Sequence, residues 1–135
     1  PKDINVYQMQ KTMDNAACAV KKGGVVILLA DCEEGSGSKM LEETFKRLRT
    51  PEAIKEELEK NFQIGANKAY AVTRPISKAR FILVTSLDRE MAREMLFTGA
   101  VDTVEEALAL AKPYLPEKPT IILMPEGSLT VPRVE

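Results

Sequence analysis

A phenol, a carboxamide and an ammonium lie within five residues of one another at Tyr7, Gln8 and Lys11, inside the stretch DINVYQMQKTMDNAACAVKKGG. Each can donate a hydrogen bond, and together they suit a carboxylate or another small anion. Apolar residues recur at Val6, Met9, Met13, Ala16, Ala17 and Val20, the spacing of a one-sided helix. At about 100° per residue, Tyr7, Gln8, Lys11 and Asn15 fall in a sector of about 100° on the opposite side. Tyr7 and Lys11 are i, i+4 neighbours and Gln8 and Lys11 are i, i+3 neighbours, so their tips can approach one point. The first helical turn adds a field that favours negative charge. A solvated polar face fits the same spacing, and the pattern alone leaves both readings open.

The surrounding elements must hold that helix. Asp3 is placed to cap it, Lys21 and Lys22 suit its negative end, and Gly23-Gly24 stop it. VVILLAD at 25–31 is a short apolar run rich in branched residues and reads as a strand buried on both faces. CEEGSGS at 32–38 is a turn-rich loop. Met40, Leu41, Phe45 and Leu48 predict the apolar face of a helix over 39–49. Thr50-Pro51 opens another through Ile54, Leu58 and Phe62, and a further helical piece runs from Ala66 to about Thr73, where Arg74-Pro75 ends it. ARFILVTS at 79–86 is a second strand, Asp88 starts a short helix, and FTGAV at 97–101 reads as a small strand or a loop. Asp102 and Glu105 form a capping box for a helix to about Lys112. Pro113, Pro116 and Pro119 prevent its continuation, and TIILMP at 120–125 is a third clear strand. Buried strands separated by helices predict an α/β fold. Its expected form is three-layered, a mainly parallel sheet of about 3–5 strands with helices on both faces, in one domain spanning the chain.

Composition narrows the function classes. The 135 residues are 44% hydrophobic and 29% charged, the balance of an ordinary globular domain. The 19 basic and 20 acidic residues leave a net charge of −1, so neither nucleic acid nor an anionic membrane surface is an expected partner. No apolar run of about 18 residues and no signal peptide are visible, which points to a cytoplasmic chain. Cys18 and Cys32 have no metal-ligand or redox spacing and read as reduced thiols. The chain has no His, the commonest acid/base group and metal ligand. It begins with Pro1, which fits either removal of an initiator Met or a piece of something longer.

On these residues the chain resembles the carboxy-terminal domain of the nickel-dependent lactate racemase family. DINVYQMQKTMDNAACAVKKGGVVILLADCEEGSGS, FQIGANKAYAVTR and the closing IILMPEGSLTVP agree with that family in the same order. The most specific element is Tyr-Gln-x-x-Lys at Tyr7, Gln8 and Lys11. The resemblance implies a two-domain enzyme with its active site in the cleft between the domains. It implies a nickel pincer nucleotide attached through a lysine of the amino-terminal domain, where His side chains serve as nickel ligand and acid/base. Gln8 and Lys11 would hold the carboxylate of a small 2-hydroxy-acid substrate, and Tyr7 would pack beside the cofactor. Tyr70, in KAYAV, matches a position where family members place an aromatic residue facing the site. The implied reaction is racemisation or epimerisation, by hydride abstraction from the 2-carbon and its return to the opposite face. This chain would then be the carboxy-terminal domain of a longer enzyme, partnered by the amino-terminal domain of the same polypeptide. Alone it would bind no cofactor or metal, contain no catalytic acid or base, and be inactive. The missing His is then expected.

Other signals have plainer alternatives. Glu34, Gly35 and Ser36 are possible ligand contacts, because Gly35 and Gly37 would let backbone amides approach an anion at the end of a strand. The loop matches neither a Walker sequence nor GxGxxG, and a tight turn without a ligand is the simpler reading. A non-catalytic α/β module that binds a small anion, nucleotide or partner protein through this loop is the alternative to an enzyme part. Lys60, Lys68, Arg74, Lys78 and Arg80 form a local basic excess that faces an anionic ligand, a partner domain or water. Cys32 lacks a His as base, and Glu33 and Glu34 are expected to raise its pKa. Met9, Met13, Met91 and Met95 are expected in the core.

Overall fold

The two-residue alternation of the second strand candidate organises the molecule: Phe81 and Leu83 belong to one apolar cluster and Ile82 and Val84 to another. A computed structural model describes residues 2–60 and 64–133. Its elements run α1 (Val6–Ala19), β1 (Val25–Leu29), α2 (Lys39–Arg47), α3 (Pro51–Lys60), α4 (Ile64–Lys78), β2 (Arg80–Val84), α5 (Arg89–Glu94), β3 (Gly99–Val101) and α6 (Val104–Ala111), with a 3-10 turn at Lys112–Tyr114. The three strands are all parallel in the order β1-β2-β3, with Ile27 beside Ile82 and Ile82 beside Gly99. On one face, Met9 and Met13 of α1, Leu41 and Phe45 of α2, and Val72 of α4 close over Phe81 and Leu83. On the other, Ala107 and Ala111 of α6 lie on Ile82, flanked by Val25 and Ile27. The expected three-layer α/β architecture is therefore present, with the sheet at the small end of the expected range.

Several elements depart from the sequence reading. Residues 120–125 form no strand, and Ile121, Ile122 and Leu123 are 72%, 62% and 84% exposed. Composition gives strand propensity, but a strand also needs a neighbour for its backbone groups, and the third place in the sheet goes to Gly99–Val101. β1 meets a cluster on each face, Val26 and Leu28 on one and Val25 and Ile27 on the other, as a strand covered on both sides should, but it is an edge strand, its burial is mostly partial, and Leu29 at its end is exposed. Met40 is also exposed, leaving Leu41 and Phe45 as the buried i, i+4 pair of α2.

The helix predicted to stop at Arg74-Pro75 continues to Lys78, with Pro75 buried inside α4. Pro75 lacks the amide that would reach the carbonyl of Ala71. Nearby hydroxyls add local bonds: Thr73 donates to the carbonyl of Tyr70 at 3.0 Å, and Ser77 to that of Thr73 at 2.9 Å. The cap of α6 lies one residue beyond the expected Asp102. Thr103 accepts from the amide of Glu106, whose carboxylate accepts in turn from the amide of Asp102. Phe62 lies outside the described residues.

Candidate functional site

The site helix is held at its first turn by the loop that follows β1. Asn5, not Asp3, is the N-cap, its side-chain oxygen accepting from the amide of Gln8 at 2.9 Å. The amides of Val6 and Tyr7 donate to the carbonyls of Gly35 and Ser36 at 3.1 and 3.0 Å. The amides of Cys32 and Glu34 return the favour to Asp3 and Ile4 at 2.7 and 2.9 Å. Segments 3–7 and 32–36 are thus laced together.

The loop residues singled out from sequence are occupied in this lacing. Glu34 accepts from the side chain of Asn5 at 3.3 Å. Ser36 is 2% exposed and its hydroxyl lies between the carboxylate of Glu42 and the carbonyl of Ser38. The amide of Gly35 donates to the carbonyl of Cys32 at 2.9 Å. The first-turn amides, expected to favour an anion, are therefore spent inside the chain. Gly37 has a φ of +76°, and a Cβ there would meet the side chain of Asn5 at 2.4 Å. Gly37→Ala is expected to cost about 2–3 kcal/mol, combining left-handed strain with loss of the cap. A lowered urea midpoint checks this, and an unchanged midpoint contradicts it.

Beyond that turn, α1 presents the flank predicted from sequence. Tyr7 and Lys11 are exposed and Gln8 is partly exposed. The side chains of Gln8 and Lys11 make no hydrogen bond or ion pair among the described residues. Tyr70 is half buried and packs from α4 against the main core cluster.

Asn15 does not join this flank. It is 7% exposed and donates to the carbonyl of Gly127 at 2.8 Å, because the chain's closing segment lies against the second half of α1. Gly127 approaches so closely that a Cβ there would sit 2.7 Å from the methyl group of Thr12.

The basic residues between 60 and 80 are dispersed. Lys60 pairs with Glu56, Arg74 with Asp14 at 2.9 Å, Lys78 donates to the carbonyl of Ala17, and the guanidinium of Arg80 lies over the ring of Tyr114. Only Lys68 reaches the flank, its ammonium 4.0 Å above the ring of Tyr7. Sequence reasoning placed Lys68 in a generic basic patch. Its contact is created by the packing of α1 on α4, across 58 positions between Gln10 and Lys68, and no local pattern encodes it.

Away from α1, the carboxyl ends of β1 and β2 border a crevice of about 380 Å³. Its lining includes Asp3, Asp31 and Asp102, which disfavours a negatively charged occupant. No group of three or more His, Cys, Asp or Glu among the described residues is arranged to hold a metal ion.

Both cysteines are free thiols, with Cys18 exposed and Cys32 buried. Burial pushes the Cys32 thiol up to about 11; a hydrogen bond with Thr85 opposes the shift, and the charges of Asp3 and Asp31, rather than Glu33 and Glu34, add to it. The unfolded thiol ionises near 9, so Cys32 favours the folded state fully below that pH and loses this contribution as pH rises through 11. The loss is expected to be about 3 kcal/mol. Urea titrations at pH 8 and 11 should therefore differ less in Cys32→Ala than in the unaltered chain; equal differences would refute the assignment.

Fold and flank together define an α/β domain that presents a polar helix face outward. A family model described as the lactate racemase C-terminal domain matches residues 1–131. The chain is similar to the lactate racemase of Thermoanaerobacterium thermosaccharolyticum, with 29% identity over 141 residues, covering 98% of this chain and 32% of that protein. It also resembles the solved lactate racemase apoprotein from that organism, with a TM-score of 0.79 and 26% identity over 87% of this chain and 29% of that one. The chain belongs to the lactate racemase C-terminal domain family. It spans about a third of the length of the relative it matches. Among the described residues, no helix is long and apolar enough to cross a membrane.

Proposed function

We propose that this chain is the carboxy-terminal, substrate-gripping domain of a cytoplasmic two-domain racemase or epimerase of small 2-hydroxy acids. The observation that carries the reading is the Tyr7-Gln8-Lys11 flank, outward-facing on a braced helix, in a chain that aligns along nearly its whole length with a third of a lactate racemase. The amino-terminal region of the same polypeptide would complete the site.

In this reading the ammonium of Lys11 pairs with the substrate carboxylate and the carboxamide of Gln8 donates a second hydrogen bond to it. Two directed contacts on one carboxylate orient the 2-carbon, which converts encounter into a positioned reaction. Closing a second domain over the flank excludes water and strengthens both contacts. Tyr7, with Tyr70 at the margin, offers aromatic surface to a cofactor held from the opposite side. Hydrogen-bond donors and aromatic rings fit a surface that faces a nickel pincer nucleotide, whereas metal ligation would fall to the amino-terminal region. Held there, that group would supply hydride-accepting chemistry.

The closing segment supports a partner domain. Ile121, Ile122 and Leu123 are consecutive, apolar and exposed, and the chain just beyond them is tied to α1 through Asn15 and Gly127. A contiguous exposed apolar run marks an interaction surface, and we assign its occupant as the amino-terminal region of the same polypeptide. The alternative of a module that binds anions through the loop at 35–37 draws less support, since the amide of Gly35 donates to Cys32 and the hydroxyl of Ser36 is engaged by Glu42 and Ser38.

The test is racemisation of enantiopure lactate and other 2-hydroxy acids by the cofactor-loaded two-domain protein in D₂O. Racemisation that leaves the 2-hydrogen unexchanged with solvent fits hydride return. Deuterium entering at the 2-carbon with each inversion overturns it, and no turnover of any 2-hydroxy acid overturns the substrate class.

A further inference from the structure

We infer that Lys68 is a positioning residue for Tyr7, the end member of a side-chain relay that α4 extends to the site helix; the inference rests on the function proposed above. Lys68 and Arg74 both belong to α4, and each reaches α1. Arg74 donates to the carboxylate of Asp14 at 2.9 Å, and the amide nitrogen of Gln10 donates to that same carboxylate. A carboxylate only accepts, so the NH₂ end of Gln10 must face Asp14 and its oxygen must face the other way. That oxygen accepts from the ammonium of Lys68 at 2.9 Å. Gln10 is 9% exposed, so its side chain cannot swing freely into water.

The direction of every bond in the relay is thereby set, and it ends with the Lys68 ammonium 4.0 Å above the ring of Tyr7. A cation at that distance is attracted by the ring's negative face. Tyr7 is 39% exposed, and a ring so exposed on a helix would otherwise exchange between rotamers. Lys68 favours the one that places a face of the ring under its charge. Burial lowers the pKa of Lys68, opposed by the charge of Asp14, as befits an ammonium withdrawn partly from water.

The relay explains why a residue remote in sequence from Tyr-Gln-x-x-Lys belongs to the same device. Lys11 and Gln8 are free to meet a ligand, while Tyr7 arrives already oriented by α4. Lys68 touches neither substrate nor cofactor in this scheme and acts through Tyr7.

The experiment uses the cofactor-loaded two-domain protein with ¹³C-labelled tyrosine, comparing Lys68→Met and Lys68→Arg with the unaltered protein. Lys68→Met is expected to shift the Tyr7 ring resonances and lower kcat/KM about 5- to 30-fold, the range of a partly desolvated cation–π contact. Lys68→Arg keeps a cation that stacks on the ring, so it should restore the resonances and bring kcat/KM to within about threefold. Unchanged Tyr7 resonances in Lys68→Met overturn the inference, as does equal impairment by Arg and Met. The ring signal decides the role of Lys68, whereas the turnover of Lys11→Ala decides the function beneath it, so the two can fail separately.

Discussion

Lys11→Ala in the cofactor-loaded two-domain protein is expected to lower kcat/KM for a 2-hydroxy acid about 10²- to 10³-fold. In the proposed site the substitution would leave the substrate carboxylate unpaired and closed from water, where lost charge pairs are most costly. Lys11 is exposed and has no partner among the described residues, so the unfolding free energy from urea titration should stay within about 0.5 kcal/mol of the unaltered protein. That separation matters: a fall in turnover with unchanged folding assigns the loss to ligand binding. Turnover constants equal to those of the unaltered protein would remove Lys11 from the proposed role.

The second large effect concerns the closing segment. Replacing Ile122 and Leu123 together with Glu should leave the carboxy-terminal fold intact, because both side chains are already in water. In the proposed two-domain arrangement each replaced residue would forfeit about 1.5–3 kcal/mol of burial against the amino-terminal region and add a charge there. A single cooperative thermal transition should therefore split in two, and the particle should expand in small-angle scattering. One transition at the original temperature would show that this run is not the docking surface.

Much of this arrangement was readable in the residues, and the exceptions share a physical cause. Helices with strong local signals, such as Ser38 through Arg47 or Asp88 through Glu94, depend on caps and spacing within a few positions. The outward flank at Tyr7, Gln8 and Lys11 was readable for the same reason. Asn15 has the same helical spacing yet is buried, because Gly127 covers it from the far end of the chain. Asn5 took the cap from Asp3 because the loop at 35–37 packs against it and Gly37 has no Cβ in the way. Pro75 failed as a stop because burial of α4 outweighs one missing hydrogen bond. Residues 120–125 read as a strand since a continuous apolar run records a wish for burial without naming the partner. Lys68 was legible only as one of a group of basic residues, and its contact with Tyr7 was not, for the same long-range reason.

The lacing of residues 3–7 to 32–36 has a mechanical consequence. Swinging α1 outward would require the amides of Val6 and Tyr7 to leave Gly35 and Ser36 while Cys32 and Glu34 surrender Asp3 and Ile4. Four backbone bonds broken together make an independent hinge there costly, so α1 should travel with the sheet as one plate whenever a neighbouring domain opens or shuts. Tyr7, Gln8 and Lys11 would then hold their place relative to the sheet as that domain moves, like teeth on a jaw rather than fingers on a hand.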